Sequence, residues 1–233
     1  MLRTLLFAAS ALVIASVAPA APVPVGPKAD DTVPHATAKL LKYRKVQKEI
    51  KMTADQRIAL YDAVEDAAED YETRLRALDK MPNAPEEAYE KLEKDLLKQV
   101  EKVLTATAEK ALPPAARARL RQVAWRVNGP AAFADPHVQK ALQLTDDEKK
   151  AAAALAEQAD AKADLYLTHL GGDDEDRVKA EVIAFRGEAV KKFVALLTAE
   201  QRDAWKALLG DPVKTFDADE LWLRLVEDDA ELL

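Results

Sequence analysis

Residues 46–56 read VQKEIKMTADQ and residues 138–148 read VQKALQLTDDE. Val46/Val138, Gln47/Gln139, Lys48/Lys140, Thr53/Thr145 and Asp55/Asp147 are identical, and Ile50/Leu142, Met52/Leu144 and Gln56/Glu148 keep their chemical character. The copies lie 92 residues apart, and self-similarity at a fixed offset divides a chain into equivalent units before any element is assigned. Thr53-Ala54-Asp55-Gln56 and Thr145-Asp146-Asp147-Glu148 both fit the capping box, in which the Thr hydroxyl accepts the N3 backbone N–H and the N3 side chain accepts the N-cap N–H. Thr198-Ala199-Glu200-Gln201 is a third box, and Pro113-Pro114 stands where a fourth is expected, with proline setting the first turn instead. The quoted stretch is a joint where one helix ends and another begins, and its recurrence marks a duplicated helical protein.

Working outward, the first joint closes a helix expected over 36–51, with Leu40, Leu41, Val46 and Ile50 as its apolar positions. Thr53 opens a long helix whose stripe is read as Ile58, Tyr61, Val64, Ala68, Tyr71, Leu75 and Leu78. Residues 81–85 (MPNAP) break it, and a third helix follows with Leu92, Leu96, Val100, Val103 and Leu104. A closing helix over 115–127 stops at Asn128-Gly129-Pro130. The pattern then repeats. Asp135-Pro136 caps a short helix, Thr145 opens a long one, Gly171-Gly172 turns the chain, and Asp173 or Asp174 caps a helix carrying Val178, Val182, Phe185, Ala189, Phe193 and Leu196. Thr198 caps a helix ending at Gly210, and a last amphipathic helix carries Leu221, Trp222, Leu225 and Val226. Long helices joined by short breaks fold back antiparallel. The fold class is therefore all-α: two tandem antiparallel helical-hairpin units, each a short helix, a long hairpin and a closing helix, over 36–130 and 131–210. Residues 211–233 form a C-terminal helix that caps the bundle or packs across the junction.

Arg3, an apolar run over 5–17 and Ala18-Pro19-Ala20 have the pattern of a signal peptide over 1–20, followed by a flexible, proline-rich leader over 21–35. The protein is thus expected to be exported, periplasmic or secreted. It has no cysteine, so thiolate chemistry and thiolate metal sites are excluded and stability must come from packing. Residues 21–130 carry 20 Lys and Arg against 18 Asp and Glu, whereas 131–233 carry 13 against 23. That acidic second half argues against nucleic acid as a partner, and no mature segment suits stable membrane insertion.

With Met52, Leu144 and Leu197 ahead of the threonines, the boxes resemble the LTxxQ motif of the Spy/CpxP family of small exported helical proteins, most fully in residues 197–205, LTAEQRDAW. Met52 replaces the leading Leu in one copy, Glu148 replaces the Gln in another, and the fourth position has lost both. The resemblance implies a non-enzymatic, ATP-independent chaperone or envelope-stress accessory protein, whose partners are unfolded or partly folded proteins. Because such proteins form dimers of helical hairpins, a duplicated chain is expected to be a monomer with pseudo-dimeric halves, or a weak homodimer. The alternatives are a metal-responsive or regulatory protein docking on a membrane sensor, or a structural helical spacer.

The motif residues Thr53, Gln56, Thr145, Glu148, Thr198 and Gln201 are read as helix caps. Arg117, Arg121, Trp125 and Arg126 form the most basic stretch, and guanidinium groups beside an indole suit an acidic or unfolded peptide; a solvated face and a pairing with the acidic second half are the other readings. His169 with Asp173, Asp174, Glu175 and Asp176 lacks the order of a calcium loop and reads as a helix exit beside an acidic helix start. No catalytic constellation, cofactor motif or metal cluster is present in the sequence.

Overall fold

A computed structural model describes residues 35–81 and 83–230, so the leader reading lies outside them save for His35, and the signal-peptide reading lies wholly outside. The described residues form α1 (His35–Ala38), a 3₁₀ turn (Lys39–Lys42), α2 (Arg44–Glu49), α3 (Ala54–Asp79), α4 (Glu86–Ala111) and α5 (Pro114–Asn128). A second 3₁₀ turn (Gly129–Ala134) leads to α6 (Pro136–Ala141), α7 (Asp146–Thr168), α8 (Glu175–Leu196), α9 (Ala199–Leu209) and α10 (Ala218–Ala230). No strand occurs among them, and no described helix is long and apolar enough to cross a membrane.

The repeated joint has the same backbone in both copies. Lys51 and Gln143, 92 residues apart, both take left-handed φ values, 56° and 51°. Each sits at C′ of a Schellman motif: Met52 and Leu144 N–H donate to the Gln47 and Gln139 carbonyls at 2.8 and 3.0 Å, and Lys51 and Gln143 N–H donate to the Lys48 and Lys140 carbonyls at 3.1 and 3.2 Å. The shared glutamine also has a structural role. Gln47 Nε2 donates to the Leu41 carbonyl at 2.7 Å, and Gln139 Nε2 donates to the carbonyl of Phe133, the equivalent residue, at 3.2 Å. Both acceptors lie in the 3₁₀ turn before the joint, where a helix break leaves carbonyls without helical donors.

The single helix expected over 36–51 is therefore broken. Tyr43 is extended (φ −90°, ψ 122°), as is its equivalent Asp135 (φ −62°, ψ 123°). The break closes a 3₁₀ turn whose adjacent Leu40 and Leu41 are both buried, at 1% and 0% exposure. It also sends Tyr43 Oη to Asp228 Oδ2 at 2.7 Å, while Lys42 Nζ meets the same oxygen at 2.6 Å, so the first helical turns clasp the last helix.

Helices α3 and α4 run antiparallel. Gln56 Nε2 donates to the Ala111 carbonyl, Arg74 to Asp95, and Tyr89 Oη to Asp79, a ladder in which one number rises as the other falls. The α3 row facing inward is Leu60, Val64, Ala67, Tyr71, Leu75 and Leu78, whereas Ile58, Tyr61 and Ala68 of the expected stripe are exposed. Two apolar lines run along α3, and the docking of Leu60 into one cluster with Leu104 and Ala108 selects between them. The duplication carries the answer: Ala152 and Ala159 on α7, 92 residues after Leu60 and Ala67, are buried in the same way. Helices α7 and α8 are likewise antiparallel, with Lys162 Nζ over the Phe185 ring part-way along and Glu148, at the start of α7, beside Gln201 of α9, just past the end of α8.

Three apolar clusters fill the interior. Leu60, Leu104, Leu120, Val123 and Leu221 belong to the first; Trp125, Phe133, Val138, Phe193 and Trp205 to the second; Tyr166, Val178, Val182 and Leu223 to the third. Helix α5 feeds the first two and α10 feeds the first and third, so the halves share their cores. Leu223, missing from the expected face of α10, is its second buried leucine. On α8 the expected Leu196 is 64% exposed, and Arg186 is buried within the inward row instead.

Candidate functional site

All three capping boxes form. Thr53 N–H donates to Gln56 Oε1 at 2.9 Å while Gln56 N–H donates to Thr53 Oγ1 at 3.3 Å. The same pair of bonds joins Thr145 to Glu148 and Thr198 to Gln201. The backbone N–H of Thr145 holds the Glu148 carboxyl below the ordinary carboxylate range. At the fourth start Pro113 occupies the N-cap and makes no side-chain bond. An arginine follows two of the boxes and bonds to the carbonyl just ahead of the threonine: Arg57 to Met52, and Arg202 to Leu197. These six cap residues are thus engaged with the scaffold's own backbone.

The basic stretch of α5 does not present the open guanidinium–indole face expected of a peptide site. Arg121 and Trp125 are 6% exposed. The Trp125 indole N–H donates to Asp135 Oδ2 at 2.9 Å, while Asp135 Oδ1 caps α6 through the His137 N–H at 2.7 Å. Arg117 bonds to the Glu109 carbonyl in the last turn of α4, and Arg126 to the Leu209 and Gly210 carbonyls at the end of α9. Guanidinium groups placed at helix C-termini meet the negative ends of those dipoles. Arg119 Nη2 pairs with Glu49 at 2.6 Å, and its Nη1 donates to the Asp211 carbonyl at 2.7 Å. The basic face is turned inward because α5 is the shared wall between the first two clusters, and its arginines fasten the chain segments around it.

Arg186, which the sequence reading passed over, is 1% exposed. Its Nε donates to Asp219 Oδ1 at 3.0 Å, Nη2 donates to the Val127 carbonyl, and the guanidinium lies 3.8 Å from the Trp222 ring centroid. It thereby ties the end of α5 to α10. Gly129, with φ 55°, leaves room for it: a Cβ there would stand 2.8 Å from Arg186 Nη2.

The expected cap by Asp173 or Asp174 is absent: Asp174 holds the N-cap position of α8 but makes no capping bond, and pairs with Arg177 at 2.7 Å instead. His169 Nε2 lies 3.7 Å from Asp174, and Glu175 accepts the Gly171 N–H. No group of three or more His, Asp or Glu side chains among the described residues is placed to hold a metal ion.

One open surface lies on the first hairpin. Ala67 on α3 and Leu92 on α4 are its outermost fully buried residues, and neither joins a core cluster. The outer half of the hairpin thus forms an arm whose two helices pack on each other. Along it runs a groove of about 350 Å³ floored by Ala77, Leu78, Met81, Ala88 and Leu92 and edged by Arg74, Lys91 and Asp95. On the second hairpin α10 covers Tyr166, Val178 and Val182 with Leu223. Comparison with protein-family models, curated proteins and solved structures gives no match.

Proposed function

We propose that this chain is a non-catalytic protein-binding protein that captures partly unfolded chains, an exported chaperone of the Spy/CpxP type with two hairpin units in one polypeptide. The observation that supports the reading is the uncovered α3–α4 arm, with its apolar groove and the 56% exposed Met81 at its tip. A flexible thioether beside mixed charges suits loosely specified apolar side chains. Burying one such side chain contributes about 1.5–3 kcal/mol, and ordering the client offsets part of that, so capture is weak and reversible. The basic stretch on α5 is not part of this surface, since Arg121 and Trp125 lie inside.

The test is suppression of aggregation of a heat- or reductant-unfolded client by the chain. Leu78→Glu with Met81→Glu, both at the partly open end of the arm, is expected to abolish suppression while leaving the circular dichroism unchanged. No suppression by the wild-type chain at stoichiometric excess would sink the reading.

A further inference from the structure

A second, wider cavity lies away from the arm. It is a cleft of about 890 Å³ beside the first joint, walled by the joint, the start of α5 and residues 210–215. Its charge follows from which groups are already taken. Glu49 is occupied on both oxygens, by Arg119 at 2.6 Å and by the Thr215 hydroxyl at 2.8 Å. Burial pushes its carboxyl up, but those hydrogen bonds outweigh burial and hold it below the ordinary range, so it stays ionised and neutralises Arg119. Lys48, Lys51 and Lys214 are left, all exposed and without an ion pair among the described residues, with Asp211 the only other carboxylate on the wall. Three lysines against one carboxylate is a local reversal in a chain of formal charge −7. The floor is apolar, formed by Ile50, Ala116, Pro113 and Pro212. Helix α5 starts at this cleft without a side-chain cap or an acidic residue in its first turn, so its positive end is unopposed.

The second copy shows that this is a divergence, not a by-product of the joint. The equivalent place, beside Leu142, Gln143, Thr198 and Gln201, holds a cavity of only about 260 Å³. Gln143 stands there for Lys51, and Glu200 adds a negative charge.

We propose that the cleft is a docking site for an acidic segment of a partner protein, whose carboxylates meet Lys48, Lys51 and Lys214 while an apolar side chain rests on the Ile50 and Pro212 floor. Nucleic acid is the less suitable polyanion. No aromatic ring lines the cleft for base stacking, and the acidic remainder of the chain repels a strand that runs past it. The site is independent of the arm, so either assignment stands or falls alone.

The test is fluorescence anisotropy of the full chain with a labelled octapeptide of alternating Glu and Leu, against its Lys/Leu counterpart and an oligothymidine of equal length. The Glu/Leu peptide is expected to bind, and to weaken severalfold as salt rises from roughly 20 to 200 mM. Lys51→Glu with Lys214→Glu should lower its affinity by about tenfold or more, and Gln143→Glu, which places a carboxylate at the equivalent position of the other copy, should leave it within about twofold. The proposal is overturned if the Lys/Leu peptide binds equally well, if the oligonucleotide binds more tightly, or if the double variant keeps its helical circular dichroism and its affinity.

Discussion

Two residues of ordinary type sit in an uncommon backbone state. Lys51 and Gln143 terminate α2 and α6 with left-handed φ, where a helix usually places glycine. A side chain there costs about 1–2 kcal/mol, and glycine returns part of that gain through its larger unfolded-state entropy. Gln143→Gly is therefore expected to stabilise the chain by about 0.5–1 kcal/mol. Urea unfolding measures it, and an unchanged or lower midpoint refutes the account of the joint. Tyr166 gives a prediction in pH. It is 1% exposed and its hydroxyl donates to Glu227. Burial first, and the Glu227 carboxylate second, raise its phenol above the ordinary value. The folded chain then keeps a proton that the unfolded chain releases. This stability is fully present below about pH 10 and is lost as pH rises from there through the raised value. Thermal melts from pH 8 to 11 should show that loss in the wild type, and Tyr166→Phe should flatten it.

At the scale of elements, α10 is the piece whose removal reaches furthest. It contributes Leu221 to the first cluster, Leu223 to the third, and Asp219 and Trp222 to Arg186. A chain ending at Asp217 leaves Tyr166, Val178 and Val182 uncovered and the Arg186 guanidinium without its carboxylate. A buried charge that loses its partner costs about 3–5 kcal/mol, which in a body of this size corresponds to roughly 10 °C in Tm. Calorimetry and binding of a hydrophobic dye should report both the loss and the exposed surface. The sequence made α10 legible as a final amphipathic helix, and the three capping boxes were readable because local hydrogen bonding decides those, whereas the break at Tyr43 and the uncapped start of α8 were not. Other features depended on long-range packing. The inward line of α3 was chosen by Leu60 against Leu104, and the inward basic face of α5 by the carbonyls at the ends of α4 and α9. A run of arginines looks like surface until the helix ends that it serves are known.

At the scale of the whole molecule, the duplication was visible in eleven residues, but its geometric content was not. Gln47 and Gln139 were identical letters, and only the structure shows that both hold the carbonyl of a 3₁₀ turn six residues upstream. The all-α class was readable from composition and period. The sharing of α5 and α10 between the halves was not, because nothing local distinguishes a helix that closes one unit from one that walls two. That sharing supports the expectation that the duplicated chain satisfies its own interfaces. Multi-angle light scattering should give a monomer mass, and an obligate dimer would contradict it.

Helix α10 also has a consequence for chain connectivity. Tyr43 and Lys42 near the start of the described chain both reach Asp228 near its end. From residue 42 to residue 228 the described chain is therefore almost a closed ring, and the order in which its helices are synthesised is separable from the order in which they pack. A circular permutant that joins residue 230 to residue 35 through a short Gly/Ser linker and opens at Asn83, in the turn at the tip of the arm, should keep all three apolar clusters. It would also split α3 from α4 at the one place where they are joined, leaving the arm as two free ends while the rest of the ring stays intact.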